Sequence, residues 1–206
     1  ALPRLLPPAA SARLQKALEA GGAAFRFGAS VTSIARGDGA LHLTLSDGST
    51  LEADLVVSAI GLKPRTELAA QAGAELARGV KVNRELATSV PHVHALGDCA
   101  EVEGLLLPYV MPLMQQARAL AATLSGKPTP VSYPAMPVVV KTPACPTVVC
   151  PPAMGAEGEW QVTETDEALE ARFVSASQPE QMLGFVLQGK ATAQRQAWAA
   201  QTPAVL

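Results

Sequence analysis

Residues 88–101 read Thr88-Ser89-Val90-Pro91-His92-Val93-His94-Ala95-Leu96-Gly97-Asp98-Cys99-Ala100-Glu101. The apolar run Val93 to Leu96 predicts a short strand that delivers the chain to Gly97, where the missing Cβ lets backbone approach a ligand closely. Asp98 is then placed to accept a hydrogen bond from a ligand hydroxyl. Gly-Asp pairs are also common in ordinary turns, so this pair takes its meaning from what flanks it.

Upstream, Asp54-Leu55-Val56-Val57-Ser58-Ala59-Ile60-Gly61 is a continuous apolar run closed by glycine. Such a run predicts a strand buried on both faces, as in a parallel sheet. Pro64-Arg65-Thr66 opens a predicted helix through Ala72, with proline early and Gly73 at its end, and Gly79-Val80-Lys81-Val82 leads into the opening stretch. Downstream, a helix is predicted over about Val110 to Leu124. It tolerates Pro112 because that residue falls in the first turn, and Ser125-Gly126-Lys127-Pro128 supplies the stop. Leu113, Gln116, Ala117, Leu120 and Leu124 recur on one side of it and predict a packing stripe.

Toward the N-terminus, Ala9 to about Gly21 has helical spacing in Leu14, Ala17 and Leu18, with Gly21-Gly22 as the stop. Phe25 to Phe27 and Val31 to Ile34 are candidate strands. Leu41-His42-Leu43-Thr44-Leu45 alternates, so its leucines share one sheet face and His42 points to the solvated one. Ser46-Asp47-Gly48-Ser49 turns that strand into Thr50 to Ala53. From Pro128 to Pro152 prolines cluster, predicting extended chain in which Val138 to Lys141 and Pro146 to Val149 are short strands. Trp160 to Thr163, Leu169 to Val174 and Met182 to Leu187 predict three more, followed by a helix around Ala193 to Ala200.

The chain has 206 residues, 49% of them hydrophobic, enough for a substantial core. Its net charge of −2 comes with 16 scattered basic residues, so no cationic stripe exists to neutralise phosphates and nucleic acid is not expected as a partner. No apolar run reaches the roughly 18 residues that span a bilayer. Ala1 to Pro8 also lacks the basic start and apolar stretch of a secretory signal, so a soluble cytoplasmic protein with no membrane partner is expected. Three cysteines, Cys99, Cys145 and Cys150, do not make a disulfide framework. Cys145 and Cys150, five apart, invite comparison with a redox dithiol, against the simpler alternative of buried thiols. His42, His92 and His94 show no paired ligand spacing with them, and no metal is expected.

Three features occur in order: a strand ending Ser58-Ala59-Ile60-Gly61 with Pro64-Arg65 after it, Gly97-Asp98 with Thr88 upstream, and a helix starting about twelve residues past the aspartate. In this the chain resembles the flavoprotein reductases built on two dinucleotide-binding domains. Met136-Pro137-Val138-Val139-Val140-Lys141-Thr142-Pro143 is similar to the entry into the C-terminal domain of their rubredoxin-reductase branch. The resemblance implies an α/β fold made of parts of an NAD domain (1–57) and a FAD domain (58–128), with a small α+β interface or carrier-docking domain at 129–206. It implies FAD and NAD as cofactors and rubredoxin or a similar small iron–sulfur carrier as partner. Asp98 after Gly97 would hold the FAD ribitol, backbone at Val110 and Met111 would face the flavin, and Lys141 would lie near its ring.

Each role has a physical counterpart. The first-turn N–H groups of a helix are unpaired and carry partial positive charge, which favours negative charge on a reduced flavin. A lysine would act as a point charge; equally, Lys141 is readable as a solvated strand end. Gly61 is assigned close chain packing, His94 packing rather than proton transfer, and Trp160 and Trp198 core or interface positions. No catalytic side chain is assigned.

The family carries two G-x-G-x-x-G fingerprints that cradle pyrophosphates, and neither occurs in this chain. The expectation is therefore a C-terminal portion of a longer reductase, with its missing N-terminal part as a partner and no activity by itself. Other flavoreductases of ferredoxin or disulfide type, and a non-catalytic docking fragment, are the alternatives.

Overall fold

A computed structural model describes residue 2 and residues 5–206. In chain order the elements are α1 (Pro8–Ala20), β1 (Val31–Arg36), β2 (Leu41–Leu45), β3 (Thr50–Ala53), α2 (Glu67–Gln71), β4 (Val80–Val82), β5 (Ala100–Val102) and β6 (Leu105–Leu106). There follow α3 (Val110–Leu124), β7 (Val138–Val140), β8 (Thr147–Cys150), β9 (Gly158–Glu164), β10 (Ala168–Ser175), β11 (Met182–Gly189), a 3-10 turn (Lys190–Gln194) and α4 (Arg195–Gln201). The chain divides into two compact units, Glu19–Leu62 and the remainder.

The Glu19–Leu62 unit is the antiparallel meander β1-β2-β3. Leu43 and Leu45 are buried while His42 is exposed beside Glu52, 3.3 Å away, so the alternation along β2 resolves as expected. Asp47 makes the turn by accepting the Ser49 N–H and hydroxyl at 2.9 and 2.6 Å; these bonds hold its carboxyl below the usual carboxylate range. Phe25 to Phe27, expected as a strand, is irregular, with the two rings stacked 5.3 Å apart.

Asp54–Gly61 departs most from expectation. It forms no strand, and Leu55, Val57 and Ile60 are exposed, Ile60 at 97%. A parallel strand exists only through hydrogen bonds to neighbours distant in sequence, and among the described residues none pairs with this segment.

In the larger unit, a five-stranded antiparallel sheet runs β7-β8-β11-β10-β9. Strand alternation sends Val149, Leu169, Ala171 and Val186 to one face, against Leu6, Ala10 and Leu14 of α1 and its lead-in. Val148, Cys150, Phe185 and Leu187 go to the other, against Ala191 and Trp198. Arg13 fastens α1 further: its guanidinium donates to Glu164 Oε1 at 3.0 Å and to the carbonyls of Thr165 and Asp166 at 2.8 and 2.7 Å. Trp198 is a core residue, with Phe185 edge-on to its ring and Arg172 over its face, 4.6 Å from the centroid. Trp160 is half-buried on the α1 face, edge-on to Phe173. The expected final helix is divided into the 3-10 turn and α4.

The second core of this unit joins β4, β5 and α3 through Val80, Val82, Leu86, Ala100, Val102, Ala119, Leu120 and Tyr133. β4 and β5 pair in parallel, β5 and β6 antiparallel. The helix expected over Pro64 to Ala72 is limited to α2, after which Gly73 takes φ +82. α3 has the bounds the sequence indicates. Its end is a Schellman closure: Gly126 N–H donates to Thr123 O and Lys127 N–H to Ala122 O, both at 3.0 Å.

Candidate functional site

Gly97 sits at φ +84 in a turn whose closing bond is Ala100 N–H to Gly97 O at 3.0 Å. A Cβ at Gly97 would meet Leu113 Cδ1 at 3.4 Å, an ordinary contact. Backbone conformation rather than crowding therefore demands glycine there. The approach to the turn is fixed by Thr88, whose N–H donates to Val93 O at 2.9 Å. Its hydroxyl accepts the Val90 N–H at 3.1 Å and faces the Val90 and Val93 carbonyls at 3.2 and 2.9 Å.

This tight loop, with His92 at φ 64, replaces the strand expected over Val93 to Leu96. The pairing there is limited to an isolated His94–Ala87 bridge, with Ala95 N–H bonded to Leu86 O and Val93 N–H turned back to Val90 O. The side-chain bonds of Thr88 satisfy the backbone that a strand would otherwise pair. His94 is half-buried there. Asp98 projects beyond the turn, exposed, and no described residue hydrogen-bonds or ion-pairs with its carboxylate.

α3 opens at Tyr109, extended at φ −152 and ψ 170, with no side-chain cap. Val110 and Met111 are its first two residues, both exposed, and their N–H groups have no acceptor one turn back. Pro112 occupies the third position, where no intrahelical N–H bond is lost. The helix thus presents two uncapped donors at its positive end.

A buried side chain connects these two elements. Gln116 Oε1 accepts the Gly97 N–H at 2.5 Å, and Gln116 Nε2 donates to the Tyr133 hydroxyl at 2.7 Å. Gln116 is 2% exposed and Tyr133 fully buried. Burial raises the Tyr133 phenol pKa, with a smaller opposing pull from the Gln116 amide. The sequence stripe that placed Gln116 among packing residues is therefore corrected: its position on the buried face holds, but its chemistry is polar. Leu124 of the same stripe is exposed.

Lys141 follows β7 and is exposed. With Thr142, Thr192 and Arg195 it lines an open groove of about 430 Å³ on the five-stranded sheet. No described hydrogen bond joins it to the Gly97–Gln116 cluster. Gly97, Asp98, Val110 and Met111 are thus held on one frame, and Lys141 belongs to another part of the same unit.

Cys145 and Cys150 are buried free thiols. Burial pushes the Cys150 thiol up to about 11, partly offset by the Met136 N–H that points at it. A thiol that is protonated at neutral pH is a poor redox nucleophile, which favours the buried-thiol alternative. Alkylation with iodoacetamide at pH 8 is expected to modify the half-buried Cys99 and to leave Cys150 unmodified until the pH approaches 11. Rapid labelling of Cys150 at pH 8, located by peptide mapping, would refute this assignment. Among the described residues no cluster of metal-binding side chains occurs, and no helix is long and apolar enough to cross a membrane.

Residues 1–122, the segment that contains Gly97, Asp98 and nearly all of α3, match the model of the pyridine nucleotide-disulphide oxidoreductases. The chain belongs to that family. Residues 130–202 match the rubredoxin binding C-terminal domain. The chain is 48% identical to a rubredoxin-NAD(+) reductase of Alcanivorax borkumensis over all of its own length and 53% of that protein. To the rubredoxin-NAD(+) reductase of Acinetobacter baylyi it is 47% identical, over 95% of this chain and 49% of the relative. It therefore spans about half the length of the curated relatives it matches. Among solved structures, a ferredoxin reductase from Rhodopseudomonas palustris superposes with a TM-score of 0.83 at 26% identity, covering 98% of this chain and 52% of that one. The α/β flavoreductase fold expected from the Gly-Asp motif is the fold of these relatives.

Proposed function

We propose that this chain supplies half of the FAD site and the carrier-facing domain of a reductase that passes electrons from NADH through FAD to rubredoxin. The observation that carries the reading is the single hydrogen-bonded frame holding an unpaired carboxylate, Asp98, and the uncapped N–H groups of Val110 and Met111. These residues fit the group: the carboxylate is an acceptor for a ribitol hydroxyl, and the donors are suited to the electron-rich edge of a reduced ring. FAD, when bound, supplies the step between a two-electron donor and a one-electron carrier.

The chain's own residues orient and bias that chemistry. Asp98 fixes the ribitol, the positive end of α3 favours added negative charge, and Lys141 contributes a point charge from the five-stranded sheet. On this reading residues 1–57 close a nicotinamide domain, 58–128 are the returning part of the FAD domain, and 129–206 dock the carrier. The match of residues 130–202 to a rubredoxin binding domain supports the last assignment. The reductase works in the cytoplasm, where its nicotinamide donor is regenerated.

Stopped-flow mixing of the whole protein with NADH tests the proposal. Bleaching of a stoichiometric bound flavin is expected, followed by reduction of added oxidised rubredoxin in a second, carrier-dependent phase. A flavin that bleaches but never reduces rubredoxin would sink the carrier assignment; absence of bound flavin would sink the whole reading.

A further inference from the structure

We infer that Gln116 is a positioning residue for the flavin, locking the Gly97-Asp98 turn to the opening of α3, and that Tyr133 anchors the far end of its amide. The inference rests on the FAD reading above and goes beyond it. Neither side chain is among the groups placed against the cofactor.

The geometry uses both ends of an amide. On one side a partly buried backbone N–H, that of Gly97, finds an acceptor; on the other a buried phenol oxygen, that of Tyr133, receives a donor. A glutamine carboxamide offers one of each, and rotating it by half a turn would set Nε2 against the Gly97 N–H, donor against donor. The Gly97 N–H, a donor only, excludes that rotamer, whereas the Tyr133 hydroxyl can donate or accept; Tyr133 anchors the far end of the amide because its own position is fixed. Its carbonyl accepts the Val205 N–H at 2.7 Å, and its N–H donates to Leu206 O at 2.9 Å. It is fully buried in the core shared by β4, β5 and α3.

The consequence reaches Asp98 through the chain. Glycine at position 97 has access to broad regions of backbone space, so the turn does not by itself define where the next side chain points. The α3 side chain nearest to where a Cβ would stand at Gly97 is apolar, the Leu113 methyl, and an apolar neighbour limits distance but not direction. The Gln116 bond supplies direction. Because Gln116 lies six residues along the helix from Val110, it also fixes the turn relative to the two uncapped donors, about 9 Å along the axis. Ribitol acceptor and ring-facing donors then move as one body.

The test uses the whole protein, stripped of flavin and titrated with FAD by fluorescence quenching, with the flavin midpoint potential measured on the reloaded protein. Gln116→Met keeps length and removes the acceptor; FAD is expected to bind about tenfold more weakly, the scale of one net hydrogen bond, with a shifted potential. Tyr133→Phe removes the acceptor that anchors Gln116 Nε2, loosening the amide, and is expected to weaken FAD about threefold. Gln116→Glu keeps an oxygen for Gly97 N–H in either protonation state, so binding within about twofold of the parent is expected.

A purely structural role would lower the melting temperature of the flavin-free protein in all three variants and leave affinity and potential unmoved, which would overturn the inference. Asp98→Ala separates the two ideas. If it weakens FAD while Gln116→Met and Tyr133→Phe do not, the positioning role fails alone; if it too leaves FAD binding unchanged, the FAD site itself is misplaced. Should Gln116→Met fail to fold, Tyr133→Phe and Gln116→Glu decide the matter through the same affinities.

Discussion

Asp98→Ala in the whole protein is expected to raise the FAD dissociation constant by about 10- to 100-fold while leaving the flavin-free protein as stable as the parent. The magnitude is that of one hydrogen bond to a charged acceptor, about 1.5–3 kcal/mol. The selectivity follows from where the residue sits. Asp98 is exposed at the tip of the turn and no described residue bonds its carboxylate, so truncation strands no buried partner. The turn itself is made by backbone, through Gly97 at φ +84 and the Ala100 N–H. Equilibrium titration with FAD, paired with thermal melting of the flavin-free form, checks both halves. An unchanged dissociation constant would remove Asp98 from the cofactor site, and a large drop in melting temperature would make it a structural residue.

Phe185→Ala is expected to have the largest effect on stability, about 3–5 kcal/mol. Phe185 is fully buried in the centre of β11, between β8 and β10 in the five-stranded sheet. Its ring meets Trp198 edge-on at 5.6 Å, and that indole is held in turn by Arg172 over its face and by an Nε1–H bond to Gln194 at 3.0 Å. Alanine would leave a void between sheet and helix α4 that a strand braced on both sides cannot close by collapsing. Urea unfolding followed by tryptophan fluorescence gives the number. A loss below about 1 kcal/mol would mean that α4 moves in to fill the space, and that the sheet does not depend on it.

Local chemistry made much of the architecture legible. α3 could be bounded at both ends because its signals are short-range: proline where no N–H is needed, and Gly126 where a left-handed residue closes the helix. β2 was legible for the same reason, since period-two alternation reports a sheet face without reference to any partner, and β10 and β11 were legible as apolar runs of strand length. The strand expected at Asp54–Gly61 was not realised, because apolar composition expresses a capacity for burial and the hydrogen bonds of a parallel strand come from elsewhere. The strand expected over Val93 to Leu96 was not realised either: the Thr88 hydroxyl holds the Val90 N–H and faces the Val93 carbonyl, closing a tight loop there.

The candidate site divides along the same line. Gly97 and Asp98 were visible in the sequence because the glycine conformation and the adjacent carboxylate are properties of neighbouring residues, and the limits of α3 were visible through Pro112 at its start and Ser125-Gly126 at its end. Gln116 was placed by helical periodicity on the buried face, yet its function depends on Gly97, nineteen residues away, and on Tyr133, seventeen away. Likewise, nothing near Pro8–Ala20 announces that α1 covers a sheet built from residues more than 110 positions later. The sequence by itself determined the family motif, the limits of α3 and the faces of β2, all of which rest on interactions within a few residues. Only the tertiary structure decided which polar side chain orients the motif and what covers the sheet, because hydrogen-bond direction and face-to-face packing exist only after distant segments meet.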